Sequence, residues 1–199
     1  MNDIQFNKTL ITVNAILPLA IFTYDFSSGN VGTNPIEFFL RTSGVLTLIA
    51  LLVTLSITPL RKIFGWNGLI KYRRMLGLYA FFYGTLHLIT YSIFDKSGNV
   101  IEIGKDVFQR PFIAVGMLAF FLMIPLAVTS TNAMIKRLGK NWAKLHKLTY
   151  FVAFGGVLHF YMIVKSDIFY PAIFACVLAI LLGYRFFTNK PKIQSVINN

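Results

Sequence analysis

Three histidines, His87, His146 and His159, are the residues of this 199-residue chain whose type and spacing point to chemistry. His87 stands inside YRRMLGLYAFFYGTLHLITYSIF, residues 72–94, a stretch otherwise apolar between its basic start and its outer end. A histidine within a membrane-spanning helix costs free energy and normally faces a partner, so it is a functional candidate by default. His159 lies in a second apolar stretch, residues 148–164. Counting ~1.5 Å per residue from Arg74 and Lys147 puts His87 about 20 Å and His159 about 18 Å into the apolar layer. Two imidazoles at one depth on two parallel helices can each offer a ring nitrogen to one face of a b-type haem. Gly84, and Gly155 with Gly156, lie one turn before the two histidines and would let a flat macrocycle approach the backbone. The same pair could instead be core histidines hydrogen-bonded to hydroxyls such as Thr85 or Tyr83.

His146 stands 13 residues before His159, roughly 19.5 Å along the same expected helix, at its basic boundary. That spacing suits a second, inner cofactor. Against a second haem, 13 residues at 100° each leave the two side chains about 140° apart unless the Gly155–Gly156 region distorts the winding. The positions facing His146 on the other histidine helix are Arg73 and Arg74, which are not axial ligands. His146 is therefore a candidate inner-site ligand, with a role at another inner cofactor and a solvated boundary residue as the alternatives.

The elements that must carry these residues follow from composition. The chain is 56% hydrophobic and 13% charged, against roughly 25% charged in a soluble domain, and its mean hydropathy is +0.65. Six stretches approach the roughly 20 residues of helix that cross a hydrocarbon core: residues 9–25, 36–57, 73–94, 111–128, 142–165 and 168–187. The second span starts early because Glu37 and Arg41 can pair at i,i+4, and the fourth ends near Val128, after an expected kink at Pro125. We read an all-α integral membrane protein, a six-helix transmembrane bundle forming one domain over residues 1–199. Residue 95–110 forms the longest outer loop, about the size of a hairpin or a short interfacial helix.

Charge sets the orientation. Lys8, the segments 61–74 and 136–147, and the tail 185–192 hold 14 of the 19 Lys and Arg residues, while Asp25, Glu37, Asp95, Glu102, Asp106 and Asp167 fall on the other side. The positive-inside rule then places both termini in the cytoplasm. The basic excess is absorbed as a topology and lipid signal, which leaves no reason to invoke nucleic acid. The single cysteine, Cys176, sits in an apolar run and excludes a disulfide framework or thiolate cluster. The N-terminus lacks a cationic leader with a cleavage site, so the first span is expected to be retained.

Three long strings carry a family resemblance: TPLRKIFGWNGLIKYRRMLGLYAFFYGTLH (58–87), PLAVTSTNAMIKRLGKNWAKLHKLTY (125–150) and GVLHFYMIVKSD (156–167). With its paired histidines the chain resembles the ferric reductase and NADPH oxidase transmembrane cytochromes. It is more closely similar to the MsrQ family, the haem-binding membrane subunits of bacterial periplasmic methionine sulfoxide reductase systems. The resemblance implies a ferric reductase-like bundle in the inner (plasma) membrane that contains haem b and FMN. It implies an electron-transfer subunit, relaying electrons from the cytoplasmic side or the quinone pool to a periplasmic molybdopterin-containing methionine sulfoxide reductase that repairs oxidised proteins. By position it makes His87 and His159 the axial ligands of the haem iron and His146 the third family histidine, with Arg73 and Arg74 where the oxidases place a fourth. No GxGxxG or room for a dehydrogenase domain follows, so electrons are expected from elsewhere.

Two further places could serve cofactors. Arg73 and Arg74, with Lys71 and Trp142, form a basic, aromatic inner cluster that could hold an FMN phosphate and ring or simply anchor lipid headgroups. Arg41, near the outer end of the second span, could meet a haem propionate or pair with Glu37 alone. A rival reading, a small transporter or proton pathway using the buried histidines, would expect a broken helix or an acidic partner near His87, and the sequence provides neither.

Overall fold

In a computed structural model, which describes residues 3–164 and 167–188, every element is helical. Lys165, the end expected for the fifth span, and Lys190 and Lys192 of the basic tail lie outside the described residues. The elements run α1 (Asp3–Ser27), α2 (Pro35–Phe64), a short 3₁₀ turn (Asn67–Lys71), α3 (Arg73–Ile89) and a π-helical segment (Thr90–Asp95). There follow α4 (Val100–Gln109), α5 (Pro111–Val128), α6 (Asn132–Leu138), α7 (Lys140–Leu145), α8 (Leu148–Ile163) and α9 (Phe169–Thr188). Four of them, α1, α2, α5 and α9, are long and apolar enough to cross a membrane.

Local chemistry explains the boundaries. Asn34 caps α2 by accepting the Glu37 amide, Pro35 occupies the first turn where no amide is needed, and Glu37 meets the positive end of the helix dipole. The helix stops at Gly65, whose φ of 72° is the left-handed conformation that closes a helix on the Arg61 carbonyl. Pro111 starts α5 in the same way, and Pro125 lies inside it.

Two hairpins form the bundle: α2 packs along α3, and α5 along α8. Leu48, Leu52 and Leu55 of α2 meet Ala153 and Val157 of α8 and Leu178 and Leu181 of α9. Leu51 of α2, Ala80 of α3, Met123 of α5 and Val152 of α8 form the adjoining cluster. Helix α1 contributes no buried residue. It is held by Tyr79, which donates to Thr12 at 2.8 Å, by Tyr83, which donates to the Ala15 carbonyl, and by Phe22 stacked on Phe38.

The continuous helix expected over residues 142–165 is interrupted. Between Lys144 and Tyr150 the chain makes i→i+3 bonds, from Lys147 to Lys144, Thr149 to His146 and Tyr150 to Lys147. The Thr149 hydroxyl also takes the His146 carbonyl. This tighter winding separates α7 from α8, so the uniform 100° step used to place His146 relative to His159 does not apply. The distortion lies at His146 and Lys147, while Gly155 and Gly156 stay helical and pack against Ala119 and Leu48.

Arg185 of α9 is 7% exposed. Pro59 has no amide to give the Leu55 carbonyl, its helical partner four residues earlier. Arg185 supplies the missing donor at 2.6 Å, and bonds the Tyr150 hydroxyl at 2.8 Å with its guanidinium over that ring. At the other end, α4 is pinned through Asp106, which accepts from Lys96 at 2.8 Å and from the Tyr91 hydroxyl at 3.0 Å. The Lys96 contact, reinforced by Tyr91 and Arg110, holds the Asp106 carboxyl below the usual carboxylate range, while the same bond raises Lys96.

Two outcomes follow from these contacts. Arg185→Leu strands the buried Leu55 carbonyl and removes the donor of the half-buried Tyr150 hydroxyl, and should cost about 1–3 kcal/mol. In a Pro59→Ala background, where residue 59 regains its amide, the loss should shrink by about 0.5 kcal/mol or more. Unfolding of the four proteins measures this, and strictly additive penalties would refute the shared carbonyl. Because the folded pKa of Asp106 is depressed, its contribution is complete above the unfolded value of about 3.9 and lost as pH falls through the lower folded value. Amide exchange in α4 should thus be flat with pH near neutrality once corrected for intrinsic rates, and accelerate only below about pH 4. Asp106→Asn should be accelerated already at neutral pH.

Candidate functional site

Helices α3 and α8 bring His87 and His159 together, their ring centres 6.2 Å apart and their planes at 90°. Each ring uses Nδ1 on a helical carbonyl of its hairpin partner: His87 on Leu40 at 2.9 Å, His159 on Phe112 at 2.6 Å. A carbonyl only accepts, so each Nδ1 carries the hydrogen and each Nε2 keeps a lone pair. The Ser43 hydroxyl, which donates to Phe39 and can still accept, stands farther from the His87 Nδ1, at 3.5 Å. The hydroxyls proposed as alternative partners are engaged elsewhere, Thr85 on the Phe81 carbonyl and Tyr83 on α1.

This arrangement fits a metal shared by two imidazoles. Metal–nitrogen bonds of about 2.0 Å, with the ring nitrogen about 1.1 Å from the ring centre, place two such centres about 6.2 Å apart when the nitrogens face each other across the metal. The carbonyl bond to Nδ1 is the usual outer contact of a metal-binding histidine, fixing tautomer and ring orientation. Among the described residues no three His, Cys, Asp or Glu converge. A metal held here must therefore bring its remaining ligands with it, as haem iron does.

The glycines singled out from the sequence do not serve this space. Gly84 faces Phe120, Thr47 and Met123, Gly155 faces Ala119 and Gly156 faces Leu48, so all three are helix-packing positions. The glycines against the imidazoles are Gly44 of α2 and Gly116 of α5. Neither sits near a histidine in sequence. Arg41 is turned outward, 78% exposed at its side chain and paired with Glu37 at 2.6 Å. Its neighbours Leu40 and Gly44, rather than its own side chain, approach His87.

At the basic end, His146, Trp142, Lys71, Arg73 and Arg74 line one cavity of about 410 Å³. His146 occupies the turn between α7 and α8, its Nε2 bonded to the Thr129 hydroxyl at 3.1 Å and its ring stacked on Trp142 at 3.9 Å. Trp142 in turn donates to the Thr129 carbonyl at 2.9 Å. Arg74 bonds Asn132, whereas Arg73 lies within the electrostatic reach of Arg185 and Arg61 with no carboxylate beside it among the described residues. The cavity is thus cationic on one wall and apolar on the other, where Leu51, Phe81 and Met123 close it off. His146 is not the neighbour of either other histidine.

Comparison with known proteins supplies the context for these two sites. The family described as ferric reductase like transmembrane component matches residues 41–157, a stretch that holds His87 and His146 and ends two residues before His159. The protein-methionine-sulfoxide reductase heme-binding subunit MsrQ of Herminiimonas arsenicoxydans is 50% identical over 186 residues, 90% of this chain and 84% of that one. The proteins of the same description from Xanthomonas axonopodis pv. citri and Azospira oryzae are 44% and 47% identical, over 89% of this chain and 84% and 77% of theirs. No solved structure matches. With identity at this level running the length of the helices that carry both sites, the chain belongs to the ferric reductase-like transmembrane family and, within it, to the MsrQ subunits.

Proposed function

We propose that the chain is a b-type cytochrome subunit that carries electrons across the bacterial inner membrane through one haem ligated by His87 and His159. The observation that carries this reading is the pair of Nδ1–carbonyl bonds, which leaves two imidazoles 6.2 Å apart with their Nε2 lone pairs uncommitted. The description of the relatives as heme-binding subunits supports the same cofactor. Bound there, haem supplies reversible one-electron chemistry. The chain's own residues do the rest: Leu40 and Phe112 hold the ligand tautomers, and the buried helical walls keep water away.

In this reading six spans cross the bilayer, α3 with its π extension and α8 joining the four longer helices, and both termini are cytoplasmic. The basic cavity then faces the cytoplasm and takes FMN, its phosphate on Arg73 and Arg74 and its ring near Trp142, with His146 as a cavity residue rather than an iron ligand. Electrons enter there or from the quinone pool and leave on the acidic side to a periplasmic molybdopterin-containing methionine sulfoxide reductase subunit, supporting repair of oxidised proteins. Arg41, exposed near the outer end of α2, is free to rotate from Glu37 toward a propionate, an ion-pair exchange of small cost at an exposed site.

The purified protein should show the visible spectrum of a six-coordinate low-spin b haem, shifted by dithionite. His87→Ala and His159→Ala should each abolish that spectrum, and His146→Ala should keep it. A colourless, folded wild-type protein from haem-replete cells, or normal six-coordinate haem in either of the first two variants, would overturn the assignment. Flavin released by denaturation should be FMN in the wild type and fall to background in Arg73→Ala/Arg74→Ala with the haem retained; undiminished flavin in that variant refutes the cavity assignment.

A further inference from the structure

His87 and His159 are seated by one device used twice. In each hairpin the carbonyl that receives Nδ1–H precedes its histidine by 47 residues. In each, the residue four beyond that carbonyl is a glycine: Gly44 after Leu40, Gly116 after Phe112. The position is not arbitrary. In an α-helix the amide of residue i+4 takes one lone pair of carbonyl i, and its Cβ stands beside the same oxygen. Removing that Cβ uncovers the second lone pair and opens the helix surface to a ring lying against it.

The fit is tight enough to test. A Cβ on Gly116 would lie 2.7 Å from Nδ1 and 2.8 Å from Cε1 of His159. One on Gly44 would lie 3.3 Å from the same two atoms of His87. Carbon contacts are most favourable at about 3.5–4.0 Å, so alanine at 116 must displace the imidazole, while alanine at 44 presses on it by a few tenths of an ångström. The helical glycines Gly77, Gly84, Gly155 and Gly156 face other side chains, and Gly183 faces nothing within 4 Å.

We infer that Gly44 and Gly116 are positioning residues for the redox centre: they admit each imidazole to a helical carbonyl, and so fix the Nδ1–H tautomer, the perpendicular ring planes and the ligand strength of both Nε2 atoms. The inference rests on the reading of His87 and His159 as haem ligands. A carbonyl on Nδ1–H makes the imidazole more basic toward the metal and favours the oxidised state. Loss of that bond therefore raises the midpoint potential, and rotation of a ring plane changes the low-spin ferric signal.

Redox titration and electron paramagnetic resonance of the purified wild type, Gly44→Ala, Gly116→Ala and Gly183→Ala test this. The expected order is a raised potential and a shifted low-spin signal in Gly116→Ala, smaller changes in the same direction in Gly44→Ala, and wild-type values in Gly183→Ala. Wild-type potential and signal in both Gly44→Ala and Gly116→Ala would overturn the inference while leaving the ligand assignment standing. Should Gly116→Ala fail to accumulate with haem, Gly44→Ala decides alone, by the same criterion. A folded wild type without haem overturns the ligand assignment, and the role of the glycines with it.

Discussion

An imidazole placed in an apolar layer must give its N–H to an acceptor, and leaving it unpaired costs about 1–3 kcal/mol. Among the described residues no carboxylate bonds either ring, and the Ser43 hydroxyl stands 3.5 Å from the His87 Nδ1, against 2.9 Å for the Leu40 carbonyl. The acceptor is instead the backbone of the neighbouring helix. That choice dictates much of the architecture: α2 must approach α3, and α5 must approach α8, closely enough for a ring nitrogen to touch a carbonyl. The two hairpins are the most extensive helix associations in the bundle, and both Nε2 atoms are left as the reactive ends of their rings.

The same economy governs the basic end. Pro59 frees a carbonyl in the middle of α2, and the donor that reaches it is a buried arginine on α9 rather than water or a lipid headgroup. Burying an arginine without a carboxylate is expensive unless its hydrogen bonds are made. Here two of the nitrogens find oxygen and the ring of Tyr150 lies under the guanidinium, while Nε is buried without a hydrogen-bond partner among the described residues. The positive charge of Arg185 adds to that of Arg61 and Arg73. An unbalanced cationic corner beside a roomy cavity favours an anionic occupant through the field of the whole cluster.

How much of this could be read from the sequence depended on the length scale of the signal. The paired histidines and the long apolar runs were legible because burial of an imidazole and hydrophobic length are properties of one segment. The ion pair of Glu37 with Arg41 was legible for the same reason. Gly44 and Gly116 were not, since a glycine four residues after a carbonyl means nothing until a second helix is laid against it; the equal 47-residue offsets were the available clue. The glycines next to the histidines in sequence misled, because one turn along a helix points toward a different neighbour from the one that touches the ring. The angle between His146 and His159 was not legible, because an interruption of one turn, set by i→i+3 bonds and the Thr149 hydroxyl, has no strong sequence mark, whereas the nearness of His146 to Arg73 and Arg74 was.

The wall between the two sites bears on what can pass from one to the other. Met123 packs beside Gly84, one turn from His87, and also closes the basic cavity, which Phe81 shares. Phe81 stacks on Phe120 at 5.7 Å, and Phe120 in turn covers Gly84. These side chains contain no exchangeable proton. A proton relay through the histidines would need Nδ1–H to swing away from Leu40 or Phe112, abandoning a bond that the apolar layer does not replace, and would then meet thioether and phenyl groups. An electron needs neither a mobile hydrogen nor a water file, and can pass between groups held in fixed orientation on each side of an apolar wall. The physical asymmetry between the two carriers therefore favours electron transfer over the proton pathway that buried histidines alone would also suggest.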